Sequence, residues 1–202
     1  MSGKLSKQEL RNQQTRLAQF QRYLPTLQLK KAMLQFEVLG AVAEVSHLTD
    51  LLALSKRQVD AFAPLLLEKV SVDLLHNAQV AEVQKHYENV AGVEIPIFQN
   101  VIFQESDYSL FETPVWTDRA TEIIRELIVF REKLVVAKEK KEALEKELRD
   151  VSIRVNLFEK ILIPRALENI SRIRIFLGDQ QLAAVAQAKV AKAKLAKNLM
   201  EN

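Results

Sequence analysis

The three histidines, His47, His76 and His86, stand far apart, and none lies in the spaced His/Asp/Glu pattern that holds a metal ion. There is no cysteine, so neither a zinc-thiolate site nor thiol catalysis is available. A Gly-rich loop followed by Lys-Ser or Lys-Thr is also missing, so the sequence offers no phosphate cradle. A Gly-x-Ser-x-Gly elbow for acyl transfer is missing as well. The densest titratable runs, Lys138-Glu139-Lys140-Lys141-Glu142 and Glu145-Lys146-Glu147, set opposite charges three and four residues apart. On a helix that spacing makes a solvated, ion-paired face and not a pair of catalytic carboxylates. The residues therefore predict no catalytic group, no metal and no cofactor.

If the side chains do no chemistry, the elements that carry them must. Four glycines and five prolines in 202 residues leave room for long uninterrupted helices, and 48% hydrophobic residues exclude a disordered chain. Positions 17, 20, 24, 27, 31, 34, 38, 41, 45, 48 and 52 follow a heptad, and ten of these eleven are apolar, Lys31 being the exception. Positions 123, 127, 130, 134, 137, 141, 144, 148, 151, 155, 158 and 162 repeat the pattern with only Lys141 polar. A helix from Asp118 to Leu177 would be about 90 Å long at ~1.5 Å per residue. Two seams of similar length in one chain satisfy each other only by folding back. The expected fold is mainly α: a long antiparallel two-helix coiled coil of an N-terminal arm (1–60) and a C-terminal arm with a basic tail (118–202), around a small central region (61–117). Lys31 and Lys141 either fix register or snorkel to water. Pro25 and Pro164 should kink or restart their helices.

In the centre, residues 59–91 read as helix, with Leu65, Leu66, Val70, Leu74, Val80, Val83 and Tyr87 apolar and Pro64 in a first turn. From Gly92 to Phe111 the chain is β-rich, and Glu105-Ser106-Asp107 looks like the turn of a hairpin. Apolar residues on both faces of such a hairpin need a cover, which makes Val93, Ile95, Ile97, Phe103 and Phe111 candidate partner-contact residues. Thr117-Asp118 is the expected N-cap of the second long helix.

The net charge of +3 resides in the tail, where Lys189, Lys192, Lys194 and Lys197 face one acid, Glu201, and residues 1–181 are formally neutral. Such a body lacks the basic stripe of a nucleic-acid binder, and the Ala-rich tail lacks the bulky residues of an interfacial membrane helix. The polar start has no apolar signal core, and no stretch approaches the roughly 18 apolar residues of a membrane span, so a soluble protein without direct membrane insertion is expected.

Three segments together resemble the D subunit of the V-type/A-type rotary ATPases: NVAGVEIPIF (Asn89–Phe98), RVNLFEKILIP (Arg154–Pro164) and LQLKKAML (Leu27–Leu34) with its basic pair Lys30-Lys31. Tyr23-Leu24-Pro25 and Gly178–Lys192 depart from that family's pattern. The resemblance implies a non-catalytic central-stalk rotor component, cytoplasmic and peripheral to the membrane. Its arms would run up the axis of a hexamer of subunits A and B, and its middle would bind the small F subunit of the stalk and meet an adaptor on the membrane rotor ring. Lys189, Lys192, Lys194 and Lys197 would face the hexamer. A structural coiled-coil scaffold is the alternative that composition and heptads support equally. The hairpin and the Arg154–Pro164 segment favour the rotor.

Overall fold

A computed structural model describes residues 5–62, 78–104, 114 and 116–200, with the side chains of 62 and 195–200 outside the description. Helix α1 (Lys7–Phe62) is followed by strands β1 (Val80–Val90) and β2 (Val93–Phe103), then helix α2 (Trp116–Leu157), a π turn (Phe158–Leu162) and helix α3 (Ile163–Met200). The chain forms two compact units, Met1–Leu29 with Val151–Asn202 (the terminal unit) and Lys30–Asp150 (the middle unit).

Helix α1 starts at a capping sequence, Ser6-Lys7-Gln8-Glu9, where the Glu9 N–H donates to Ser6 Oγ at 3.2 Å. It runs through Pro25 without a new start. The lost backbone donor is tolerated there, and the Thr26 hydroxyl, one residue on, donates to the Tyr23 carbonyl at 2.7 Å. At Pro164 the chain solves the same problem differently. The pyrrolidine ring would meet the carbonyl four residues back, and the preceding turn is widened so that the Ile163 N–H donates to the Phe158 carbonyl.

All eleven seam positions of α1 and all twelve of α2 and the π turn are buried or half-buried, as the heptads predicted. In the middle unit Leu34 and Leu144 are fully buried (0% exposed), and Ala41, Leu134 and Ala137 continue the core. Lys30 Nζ binds Glu147 Oε1 at 2.6 Å and Lys140 Nζ binds Glu44 Oε2 at 2.9 Å, so rising numbers on α1 meet falling numbers on α2. In the terminal unit Phe20 meets Phe158 edge-on, with ring centroids 5.4 Å apart. Lys7–Gln14 there share a groove with Arg174–Gln181. Each unit is thus antiparallel within itself. Lys141 pairs with Glu145 on its own helix at 3.5 Å, which is the snorkelling outcome.

The hairpin is present but earlier than the sequence reading placed it. Residues 80–90, expected as helix, are strand β1, paired antiparallel with β2 from Val80↔Phe103 to Val90↔Val93. The turn is at Ala91-Gly92 (φ 51° and 81°), not at Glu105-Ser106-Asp107. Two successive positive φ values make the tight turn whose twist matches paired strands, and the Gly92 N–H donates to Asn89 Oδ1 at 2.9 Å. Val80, Val83 and Tyr87 are spaced as on a helix, but the local turn chemistry prevails. The 105–107 turn, Tyr108, Leu110, Phe111 and the 63–77 part of the expected helix lie outside the described residues. Helix α2 opens at Trp116 instead of Asp118, with Thr117 fully buried in its first turn.

Candidate interaction surfaces

Three cations, Arg125, Lys133 and Lys85, tie the hairpin to α2. At its open end the Arg125 guanidinium lies 5.2 Å from the Phe103 ring centroid and donates to the Gln104 carbonyl at 3.4 Å. Half-way along, Lys133 Nζ lies 5.4 Å from the Phe98 ring centroid, and Lys85 binds Glu139 at 2.6 Å. At the turn, a methyl group on Gly92 would sit 3.7 Å from Lys30 Nζ, the lysine already bound to Glu147. Cations over aromatic faces contribute about 0.5–1 kcal/mol at exposed sites, so these contacts orient the hairpin more than they anchor it. The anchoring comes from burial of Ile95 (2% exposed) and Val101 (5%). Pro96, Ile97 and Phe98 close a crevice of about 240 Å³ with Glu44 and Leu48 of α1 and Lys133, Val136, Ala137 and Lys140 of α2.

Of the hairpin residues singled out from sequence, Ile95 is in the core, Val93, Ile97 and Phe103 are half-buried, and Phe111 lies outside the described residues. The large apolar residues exposed on the hairpin are Tyr87 (61% exposed) and Ile102 (40%). The sequence reading passed over Tyr87 as a surface residue because it set it on a helix.

A larger exposed apolar surface is on α1. Met33, Phe36, Leu39 and Val42 are exposed opposite the seam, Phe36 at 75%. Gly40, on the same side, has nothing within 4 Å of where a Cβ would be. With Leu34, Val38 and Ala41 facing inward, the segment is apolar on two sides. Helix α1 also contains an 18-residue window of mean hydropathy 1.3, long and apolar enough to cross a membrane by length and composition, which corrects the expectation that no stretch comes close. Only 11% of that window is buried, because the seam occupies just one side of it. Exposed apolar area of this kind marks an interaction surface.

In the terminal unit the residues of α3 from Asp179 to Lys194 are all exposed, including Leu182 (71%), Val185 (55%) and Val190 (57%). Lys189, Lys192 and Lys194 project from this stretch, and Lys197 lies on the helix beyond the described side chains. Among the described residues no group of three or more His, Asp or Glu is placed to hold a metal ion.

Residues 9–193 match the model of the family described as the D subunit of ATP synthase. The chain belongs to the ATP synthase D-subunit family. Relatives named as the D subunit of V-type ATP synthase include that of Chlamydia abortus, 44% identical over 193 residues that cover 95% of this chain and 93% of the relative. The Borreliella burgdorferi protein is 40% identical over 196 residues, covering 96% and 95%. The Chlamydia trachomatis serovar L2 protein is 38% identical over 193 residues, covering 95% of each. The family match spans both helical seams and the hairpin.

Proposed function

We propose that this chain is the central rotor shaft of a V-type ATP synthase, a non-catalytic stalk component that couples nucleotide turnover in a hexamer of subunits A and B to ion movement across the membrane. Family membership supports the stalk assignment. The observation that carries the shaft reading is the stretch Asp179–Lys194, exposed on every side, which fits a partner that encircles it. In the hexamer, an asymmetric axle stabilises a different conformation at each catalytic site, and rotation is linked to occupancy through those differences in contact energy.

The arms 1–60 and 118–202 are assigned to transmission, and partner binding to the centre 61–117 together with the part of the first arm that carries Met33 to Val42. Lys189, Lys192, Lys194 and Lys197 face the hexamer through screened attraction that guides rotation without holding one angle. Met33, Phe36, Leu39 and Val42 are assigned to the F subunit of the stalk, and the hairpin with Val93, Ile97, Phe103 and Phe111 to the adaptor side. The complex operates on the cytoplasmic face, with this chain outside the bilayer. Reconstitution with purified subunits A and B tests the reading. A one-to-one complex with the hexamer, whose ATPase turns an attached bead, is the expected result, and failure to enter the hexamer overturns it.

A further inference from the structure

The neutral body read from the sequence separates, once folded, into two oppositely charged units. The terminal unit holds fourteen Lys and Arg against five Asp and Glu, and the middle unit holds fifteen against twenty-one. Residues 1–29 and 151–202 are far apart in the chain, so a running count cancels what the fold segregates.

The excess is concentrated below the lysine tail, where α1 lies against α3 with a groove on each flank. One groove, about 520 Å³, is lined by Arg16, Arg165 and Arg172, over a floor that includes Phe20, Leu162 and Ala166. The other, about 400 Å³, is lined by Lys7, Arg11 and Arg174 and contains no carboxylate. The first groove's carboxylate, Glu9, accepts from Gln13 Nε2 at 2.7 Å. Arg172 pairs with Glu168 on its own helix at 2.5 Å, and the other five cations have no ion pair among the described residues.

We infer that these six residues form a basic girdle that engages carboxylates on the inner wall of the surrounding hexamer, an acidic protein surface at a second level below the tail. This rests on the shaft reading above. Two features select the partner. Cations on both flanks of one helix pair suit a surface that surrounds it, whereas a ligand bound on one side needs only one groove. Guanidinium groups also take carboxylates two-pronged in fixed geometry, which a lysine tail cannot do. Because the girdle is exposed, its contribution should be strongly salt-dependent.

The test measures affinity of the full-length chain for the A/B hexamer at about 50 mM and about 500 mM salt. Two triple variants are compared with wild type: Arg16→Gln/Arg165→Gln/Arg172→Gln and Lys7→Gln/Arg11→Gln/Arg174→Gln. Each should bind about tenfold more weakly at low salt and nearly as well as wild type at high salt. Converting the four arginines Arg11, Arg16, Arg165 and Arg174 to Lys keeps the charge but not the two-pronged grip, so it should recover only part of the low-salt affinity, whereas a folding defect would allow no recovery. Wild-type affinity and an unchanged salt dependence in both triple variants overturn the girdle and leave the shaft reading standing. Failure of the wild-type chain to bind the hexamer overturns both. Groove-dependent retention on a DNA duplex, with hexamer binding unaffected, assigns the grooves to nucleic acid and overturns the girdle alone.

Discussion

The proposed shaft must stay folded while its load changes, and the structure allows the two kinds of contact that hold its middle unit to be ranked. Replacing Leu144 by Ala removes a side chain with 0% exposure from the α1/α2 seam. The lost transfer energy and the residual cavity together cost about 2–5 kcal/mol, and the long backbones on both sides limit collapse, which places the cost toward the upper half. The ion pairs Lys30–Glu147 and Lys140–Glu44 cross the same seam with side chains 22–46% exposed. At that exposure each contributes about 0.5 kcal/mol, and less in high salt. Urea unfolding followed by helical circular dichroism should therefore show a much larger loss for Leu144→Ala than for Lys30→Ala/Lys140→Ala, and only the latter should vary with salt. A double lysine variant as damaging as Leu144→Ala would refute the ranking and make the arms electrostatically zipped.

Gly92→Val places a β-branched residue at φ 81°, so the turn should open at a cost of about 1–2 kcal/mol, read as faster amide exchange in Val83–Phe98 with the helices unaffected. Cysteines at positions 48 and 137, which line one crevice, should crosslink under mild oxidation, whereas 48 with 148, which lies at the level of Lys30 in the same unit, should not. Phe36→Asp with Leu39→Asp should abolish binding of the F subunit in a pull-down while helicity is retained, and intact binding would place that partner elsewhere. The purified chain should show no saturable ATP affinity in the micromolar range by calorimetry.

Much of the fold was legible because a coiled coil repeats its signal. Every heptad from Leu17 to Leu52 restates the same burial, so one polar exception such as Lys31 does not obscure the seam. The hairpin was half legible. Val93, Ile95 and Ile97 alternate as a strand should, but β1 carries Val80, Val83 and Tyr87 at helical spacing, and only Asn89 and Gly92 around Ala91 reveal the turn. The ion pairs between helices escaped because they use Lys30 and Lys140, each one residue before the seam lysine that drew notice. At the outer face of α1 the sequence reading followed the inward stripe and left Phe36 and Leu39 unexplained.

The charge segregation was hidden for a deeper reason, and it bears on the proposed shaft role. A seam of apolar contacts is non-directional and insensitive to salt, which suits the inside of a shaft whose two helices must not part. The outside faces a different demand: strong apolar contact with a surrounding collar would hold one angle, and no contact would transmit nothing. Exposed cations on long side chains lie between these limits, since each can exchange one carboxylate for the next at a cost of order 1 kcal/mol or less in water. The terminal unit follows this division only in part: Val151, Val155, Ile170 and Ile173 are buried and Arg11, Arg16, Arg165 and Arg174 are exposed, but Ile153, Ile175 and Leu182 are exposed beside them. The exposed apolar surface of Met33, Phe36 and Leu39 lies in the acidic middle unit, where a partner that turns with the proposed shaft would stay fixed to it.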